Sequence, residues 1–272
     1  MAHVFQVGAG SGGMPVLDAV AREEAVTRVT LVEPDAYKPH NVYRHLFAAS
    51  AVGRPKGELA AEWLRERRPD LEIRVMACDL LDPKVQADLQ DAATACDIGV
   101  CAADNEPAKF HFDLLMRRAG KPWTLGEVLS GGIGGFVHRF VPGGPCYGCV
   151  ASHLQRTVTV DNSKAPDYSQ PGAAIQETTV PASKASIAAV AGLHALATLD
   201  LIAGDDPGFT TLLLPLKRVE GVFDEPFRPF RFKIPRAAEC LICRGGAPAA
   251  PELAAEDLDV ALDQALARLG DD

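Results

Sequence analysis

Two pairs of cysteines carry the clearest chemistry in the sequence. Cys146-Tyr-Gly-Cys149 and Cys240-Leu-Ile-Cys243 share the Cys-x-x-Cys spacing and lie far apart along the chain. A two-residue spacer lets both sulfurs of a pair face one ion, and four thiolates suit tetrahedral Zn²⁺. A redox dithiol or two disulfides would use the same residues. Seven cysteines without a secretion signal favour metal or reduced thiols over disulfides. The expectation is a structural zinc site of Cys146, Cys149, Cys240 and Cys243 that contributes to folding rather than to chemistry.

A second set of residues could handle a nucleotide. Gly8-Ala9-Gly10-Ser11-Gly12-Gly13 follows an apolar stretch and precedes a helical one. Glycines there allow a tight turn and let backbone N–H groups approach phosphates at a helix N-terminus. Glu33 closes the next apolar stretch, where an acidic side chain can take a ribose hydroxyl. On these residues alone a nicotinamide or flavin enzyme fits well. The residues that follow add a different requirement: Asp35, Asn41, Arg44, Lys56, and the pair Asp104-Asn105. Hydride transfer has no use for them. Nucleotidyl transfer does, because charge develops on the α-phosphate and pyrophosphate must leave. Arg and Lys can neutralise those oxygens, and a carboxylate can hold Mg²⁺. Each residue also has an ordinary use. Arg44 and Lys56 could be solvated charges, and Asp104 or Asn105 could cap a helix beginning near Pro107.

The elements that must position these residues alternate through the first half. Strand patterns at residues 3–7, 26–32, 71–76 and 98–102 alternate with helix patterns at 14–22, 56–68, 83–93 and 107–118, the signature of a parallel sheet with covering helices. Strands at 123–129 and 135–141 flank a glycine-rich SGGIGG. Residues 151–180 are polar and aperiodic, a candidate mobile loop. A long helix is expected over 183–203, with strands at 209–216 and 229–234. The stretch 253–269 reads as an acidic helix.

Taken in order, these motifs resemble those of the ubiquitin-activating (E1) superfamily, the ThiF–MoeB–HesA type of ATP-dependent adenylyltransferase. The family pattern is G-x-G-x-x-G, L-V-D-x-D, N-L-x-R-Q, G-x-P-K, a strand-end D-N and paired C-x-x-C. The chain supplies Gly8/Gly10/Gly13, Leu31-Val32-Glu33-Pro34-Asp35, Asn41-Val42-Tyr43-Arg44-His45, Gly53-Arg54-Pro55-Lys56, Asp104-Asn105 and the four cysteines. The resemblance covers residues 3–244. It implies an α/β fold, a Rossmann-like doubly wound and mostly parallel sheet extended by antiparallel strands, commonly as a homodimer. It implies that Glu33 holds the ribose, that Asn41, Arg44 and Lys56 hold phosphates, and that Asp104 is the Mg²⁺-linked residue needed for adenylation. The implied reaction is adenylation of a C-terminal carboxylate, on a ubiquitin-like or sulfur-carrier protein ending in Gly-Gly, or on a peptide. Glu33 and His45 replace the usual Asp and Gln. The sequence starts directly at the first strand, without the family's preceding helix and its Arg.

Composition agrees with this reading. With 47% hydrophobic residues the chain can bury a large core, and a net charge of −9 disfavours nucleic acid as a ligand. No basic n-region with a long apolar run marks a signal peptide, and no stretch reads as a bilayer span; the apolar run 187–202 reads as a buried helix. The expected location is the cytoplasm. The expected organisation is an adenylation domain over residues 1–249 and an acidic tail over 250–272. No cysteine falls in the 151–180 loop, and Cys78, Cys96 and Cys101 read as small buried residues, so no enzyme-bound thioester is expected. The alternatives are a non-catalytic nucleotide-binding scaffold and an NAD-dependent oxidoreductase.

Overall fold

A computed structural model describes residues 1–154 and 181–243. The expected acidic tail and most of the expected 151–180 loop lie outside these residues.

The first five strands are parallel. They are β1 (Ala2–Val7), β2 (Val26–Val32), β3 (Glu72–Met76), β4 (Ile98–Cys101) and β5 (Trp123–Val128). Three antiparallel strands extend the sheet: β6 (Gly134–Phe140), β7 (Thr211–Pro215) and β8 (Phe230–Phe232). The spatial order is β3-β2-β1-β4-β5-β6-β7-β8. The chain winds outward from β1 to β3, then crosses back to β4. The crevice between β1 and β4 is therefore the topological switch point, where open α/β sheets bind ligands at the carboxyl ends of their strands.

Alternation along the strands sorts the core into two layers. Val4 and Val100 face one side, with Leu17 and Val20 of α1 (Gly13–Ala21), Leu59 and Leu64 of α2 (Lys56–Arg67), and Ala191 and Ala195 of α6 (Lys184–Ala203). Phe5 and Cys101 face the other, with Leu89 of α3 (Gln86–Ala95), Phe112 and Leu115 of α4 (Glu106–Ala119), and Val150 of α5 (Tyr147–His153). Trp123 and Phe140 stack across β5 and β6 with ring centroids 4.0 Å apart. Such buried side chains each contribute about 1.5–3 kcal/mol.

The helix ends follow local chemistry. Asn105 caps α4 by accepting from the Ala108 N–H, and Gly120 closes it in the left-handed conformation. Ser183 caps α6 through the Ser186 N–H, and Gly204 ends it at φ +81°. Two expectations need correction. Ala151–His153 continue α5, a helix absent from the sequence reading. The 20-residue α6 does reach membrane-spanning length and apolarity. It packs instead on α1, β5 and β6, burying Ile187, Val190, His194 and Thr198.

Candidate active site

Gly8 leaves β1 at φ +90°, a conformation open to glycine, and an added Cβ would lie 2.8 Å from the Ala102 carbonyl oxygen. A Cβ on Gly13 would meet the Gly8 oxygen. Both glycines are thus required by packing of the turn against the end of β4. Gly10 differs: a Cβ there meets nothing within 4 Å. Its surface is open on the ligand side, as close approach of a phosphate demands. Buried Gln6 laces the turn from beneath, its amide donating to Gly8 O at 2.9 Å and Gly13 O at 2.8 Å. Helix α1 has no side-chain cap and no acidic residue in its first turn, so its positive end faces the crevice uncompensated.

Glu33, at the end of β2, is buried. Its Oε2 accepts from Ala9 N at 2.6 Å and its Oε1 from Asp35 N at 2.9 Å. Burial pushes its carboxyl above the ordinary value, opposed chiefly by nearby Lys56. Each carboxylate oxygen keeps a further acceptor site for a ribose hydroxyl. The segments after Glu33 and before α2 are joined by an antiparallel bridge between Ala36 and Pro55. That bridge brings Lys56, buried at the start of α2, to Asp35: Nζ to Oδ2 is 2.8 Å. The pair is one-sided, with the Asp35 side chain 58% exposed and that of Lys56 9%.

Asn41 acts locally. Its Oδ1 accepts from Lys38 N at 2.9 Å and caps the short 3-10 turn Pro39–Asn41. The Arg44 side chain is half-buried and, among the described residues, has no hydrogen-bond or ion-pair partner. Its neighbour His45 is buried, with Nε2 2.8 Å from the Ala9 carbonyl and Nδ1 3.5 Å from the Phe47 N–H. This pattern selects the neutral tautomer with the proton on Nε2, and burial lowers the ring's proton affinity. Asp104 follows β4, exposed and without a polar partner among the described residues. Asn105 beside it is the α4 cap. Ser11 is half-buried in the turn.

The α4 end that carries Asp104 is fixed by a buried ion network. Lys109 Nζ lies 2.7 Å from both Glu106 Oε1 and Glu127 Oε1. Tyr147 donates to Glu106 Oε2 at 2.8 Å, and His138 Nε2 lies 2.9 Å from Glu127 Oε2.

The structure thus joins Ala9, Glu33, Asp35, Lys56 and His45 directly. No bond links Asp104 to Arg44 or Lys56 among the described residues, although Glu33 and Asp104 follow the two strands that flank β1. Sequence reading treated His45 only as a departure and passed over Gln6 and Lys184. Gln6 had a signal, a polar residue inside an apolar strand two positions before Gly8. Lys184 had none.

The four cysteine sulfurs converge, all within 4.8 Å of one another. Cys146–Cys149 is 3.7 Å, Cys146–Cys240 3.5 Å and Cys149–Cys243 3.6 Å. Disulfides are excluded, since all are free thiols. A tetrahedron with Zn–S near 2.3 Å has edges of about 3.8 Å, so the spacing fits zinc. Burial opposes charge on Cys243, but hydrogen bonds led by Cys149 and Arg236 lower its thiol to about 7. Gly148 lets the first knuckle close, because a Cβ there would meet Ile242 at 2.6 Å.

A "SAMP-activating enzyme E1" of Haloferax volcanii is 28% identical over 160 residues, 58% of this chain and 56% of that protein. The uncharacterized protein y4oA of Sinorhizobium fredii is 26% identical over 163 residues, 55% of this chain and 27% of that protein. The chain thus spans 56% or less of the length of either relative. Among solved structures, Escherichia coli MccB with AMPCPP and MccA matches with a TM-score of 0.66 at 20% identity, covering 89% of this chain and 66% of MccB. MccB with ATP gives 0.63 at 18% identity over the same shares. These likenesses are of fold. The ThiF family model matches residues 1–240, and the chain belongs to the ThiF family.

Proposed function

We propose that this protein is an ATP-dependent adenylyltransferase that activates the C-terminal carboxylate of a small ubiquitin-like or sulfur-carrier protein, or of a peptide. The observation that carries the reading is the switch-point crevice. An open glycine turn and an uncapped helix N-terminus end there, tied through Ala9 and Glu33 to the segment that holds Lys56, while Asp104 follows the strand on the other side of β1. The similar proteins, a SAMP-activating enzyme and a fold neighbour crystallised with ATP and with MccA, agree with it.

In this reading ATP lies over Gly10 and Ser11, its ribose on Glu33. Asn41, Arg44 and Lys56 hold the phosphates, and Lys56 is kept in place by Asp35. A substrate carboxylate oxygen attacks the α-phosphorus, the bond to the bridging oxygen breaks, and pyrophosphate leaves with the negative charge. Arg44 and Lys56 offset that charge where water is scarce. Asp104 would hold Mg²⁺, whose charge further stabilises the leaving group. Zn²⁺ on the four cysteines is structural. No cysteine accepts the acyl group: burial pushes Cys96 and Cys101 up to about 12, and Cys78 is also raised by burial. The adenylate passes to an external thiol, amine or sulfur donor. The exposed apolar face of α6, with Leu196 59% exposed, supports a homodimer. Free thiols and the need for ATP support the cytoplasm.

The test is ATP–pyrophosphate exchange with candidate Gly-Gly-ended proteins. Asp104→Ala should abolish exchange and leave the melting temperature unchanged, because the Asp104 side chain has no polar partner among the described residues. Exchange near wild type in that variant overturns the assignment.

A further inference from the structure

Lys184 opens α6, in a segment that supplies none of the nucleotide-binding motifs. Its ammonium nonetheless reaches the site: Nζ donates to the His45 carbonyl at 3.2 Å. His45 in turn holds Ala9 of the glycine turn and follows Arg44 in the chain. The first turn of α6 is seated against the same loop, since a Cβ on Gly12 would touch Ile187 at 3.8 Å. Ser183 caps the helix, fixing the direction in which it points.

The electrostatics are unbalanced. Lys184 meets the His45 carbonyl and Arg44 precedes His45 in the chain, and among the described residues neither side chain has a carboxylate partner. Lys56, the third cation here, is already paired with Asp35. Glu33, the buried acid of this site, has its oxygens engaged by the N–H groups of Ala9 and Asp35. Lys184 thus brings an uncompensated charge to the residue that holds Ala9 of the glycine turn. A neutral carbonyl is a weak partner for an ammonium, and one hydrogen bond leaves two of its three donors free. An anion at the turn would take up those donors.

We propose that Lys184 is a further polyphosphate ligand of this nucleotide site, reaching it from the start of α6. The proposal rests on the nucleotide reading above. It differs from a purely structural role, in which Lys184 would only hold the His45 carbonyl.

Three variants separate these roles. Lys184→Gln keeps a donor for the His45 carbonyl but removes the charge. Lys184→Arg keeps the charge. Lys184→Ala removes both. Affinity for ATP and for adenosine is measured on the full chain by calorimetry, with melting temperature alongside. Loss of a charge-assisted phosphate contact should weaken ATP about tenfold in Lys184→Gln and Lys184→Ala, with adenosine unchanged. Lys184→Arg should stay within about threefold of wild type. Equal ATP affinity in wild type and Lys184→Gln overturns the proposal, as does an equal loss for adenosine. Wild-type protein that binds no ATP would overturn the nucleotide reading itself.

Discussion

Glu33 and His45 grip a single residue from its two ends: the carboxylate takes the N–H of Ala9 at 2.6 Å and the imidazole meets its carbonyl at 2.8 Å. One partner closes β2 and the other sits in the following loop, so the glycine turn is held by the very segments that carry the proposed ribose and phosphate ligands. Each hydrogen bond is worth about 1 kcal/mol net, but leaving either partner buried and unpaired would cost more. Under the proposed function the gain is preorganisation of the turn, because a site already shaped for phosphate would lose less on binding.

The glycines of this turn should separate folding from binding. Gly13→Ala forces a Cβ into the Gly8 carbonyl oxygen and should destabilise the protein by about 1–3 kcal/mol. Gly10→Ala meets no protein atom within 4 Å and should change stability by less than about 0.5 kcal/mol. It should still weaken ATP about tenfold or more by occupying the phosphate's approach. Urea melts and nucleotide titration of the two variants check this. Unaltered ATP affinity in Gly10→Ala would place the phosphates elsewhere.

Purified protein should carry about one zinc per chain, bound by four thiolates. Cys146→Ser should lose the metal and about 10 °C of melting temperature together. Elemental analysis and thermal scans of wild type, variant and chelator-treated protein provide the measurement. Stable, metal-free wild-type protein would contradict the site.

Stability should fall as the solution is acidified from neutrality. His194 is buried against Thr124 and Thr198, and burial lowers its pKa from 6.5 to about 4. The native state therefore binds fewer protons than the unfolded chain between these values. Stability rises with pH across that window and is lost as pH falls through it. Between pH 7.5 and 5 the His194 contribution is about 2 kcal/mol. His194→Gln should shrink the drop by that amount, whatever its effect at neutral pH. Denaturant midpoints at both pH values, unchanged in slope for the variant, would refute the assignment.

Periodicity and turn chemistry made most of the sheet readable. The strand expected over 26–32 matches β2, and the others differ by a residue or two at their ends. The cysteine spacing foretold the metal cluster, since ligand geometry is local within each pair. What the sequence hid was long-range. Helix α5 escaped because small residues and metal ligands resemble a loop, and because its first N–H is satisfied by Asp113, 34 residues away. The grip of His45 on Ala9 spans 36 residues and the reach of Lys184 to His45 spans 139, distances no periodicity records. Asn105 shows the converse: its cap was legible as an ordinary alternative, and the structure adopts that use.

The cysteine cluster also has a kinetic meaning. Its two knuckles are 94 residues apart, and closing a flexible loop of that length costs roughly 4 kcal/mol of chain entropy. In the parallel half, β1–β2, β2–β3 and β4–β5 pair through single crossovers, whereas β4 returns to β1 from beyond β3. In the antiparallel extension β6 meets β7 only after the long stretch that carries α6. A metal held by both knuckles would shorten that search, because it would tie the chain just past β6 to the chain just past β8.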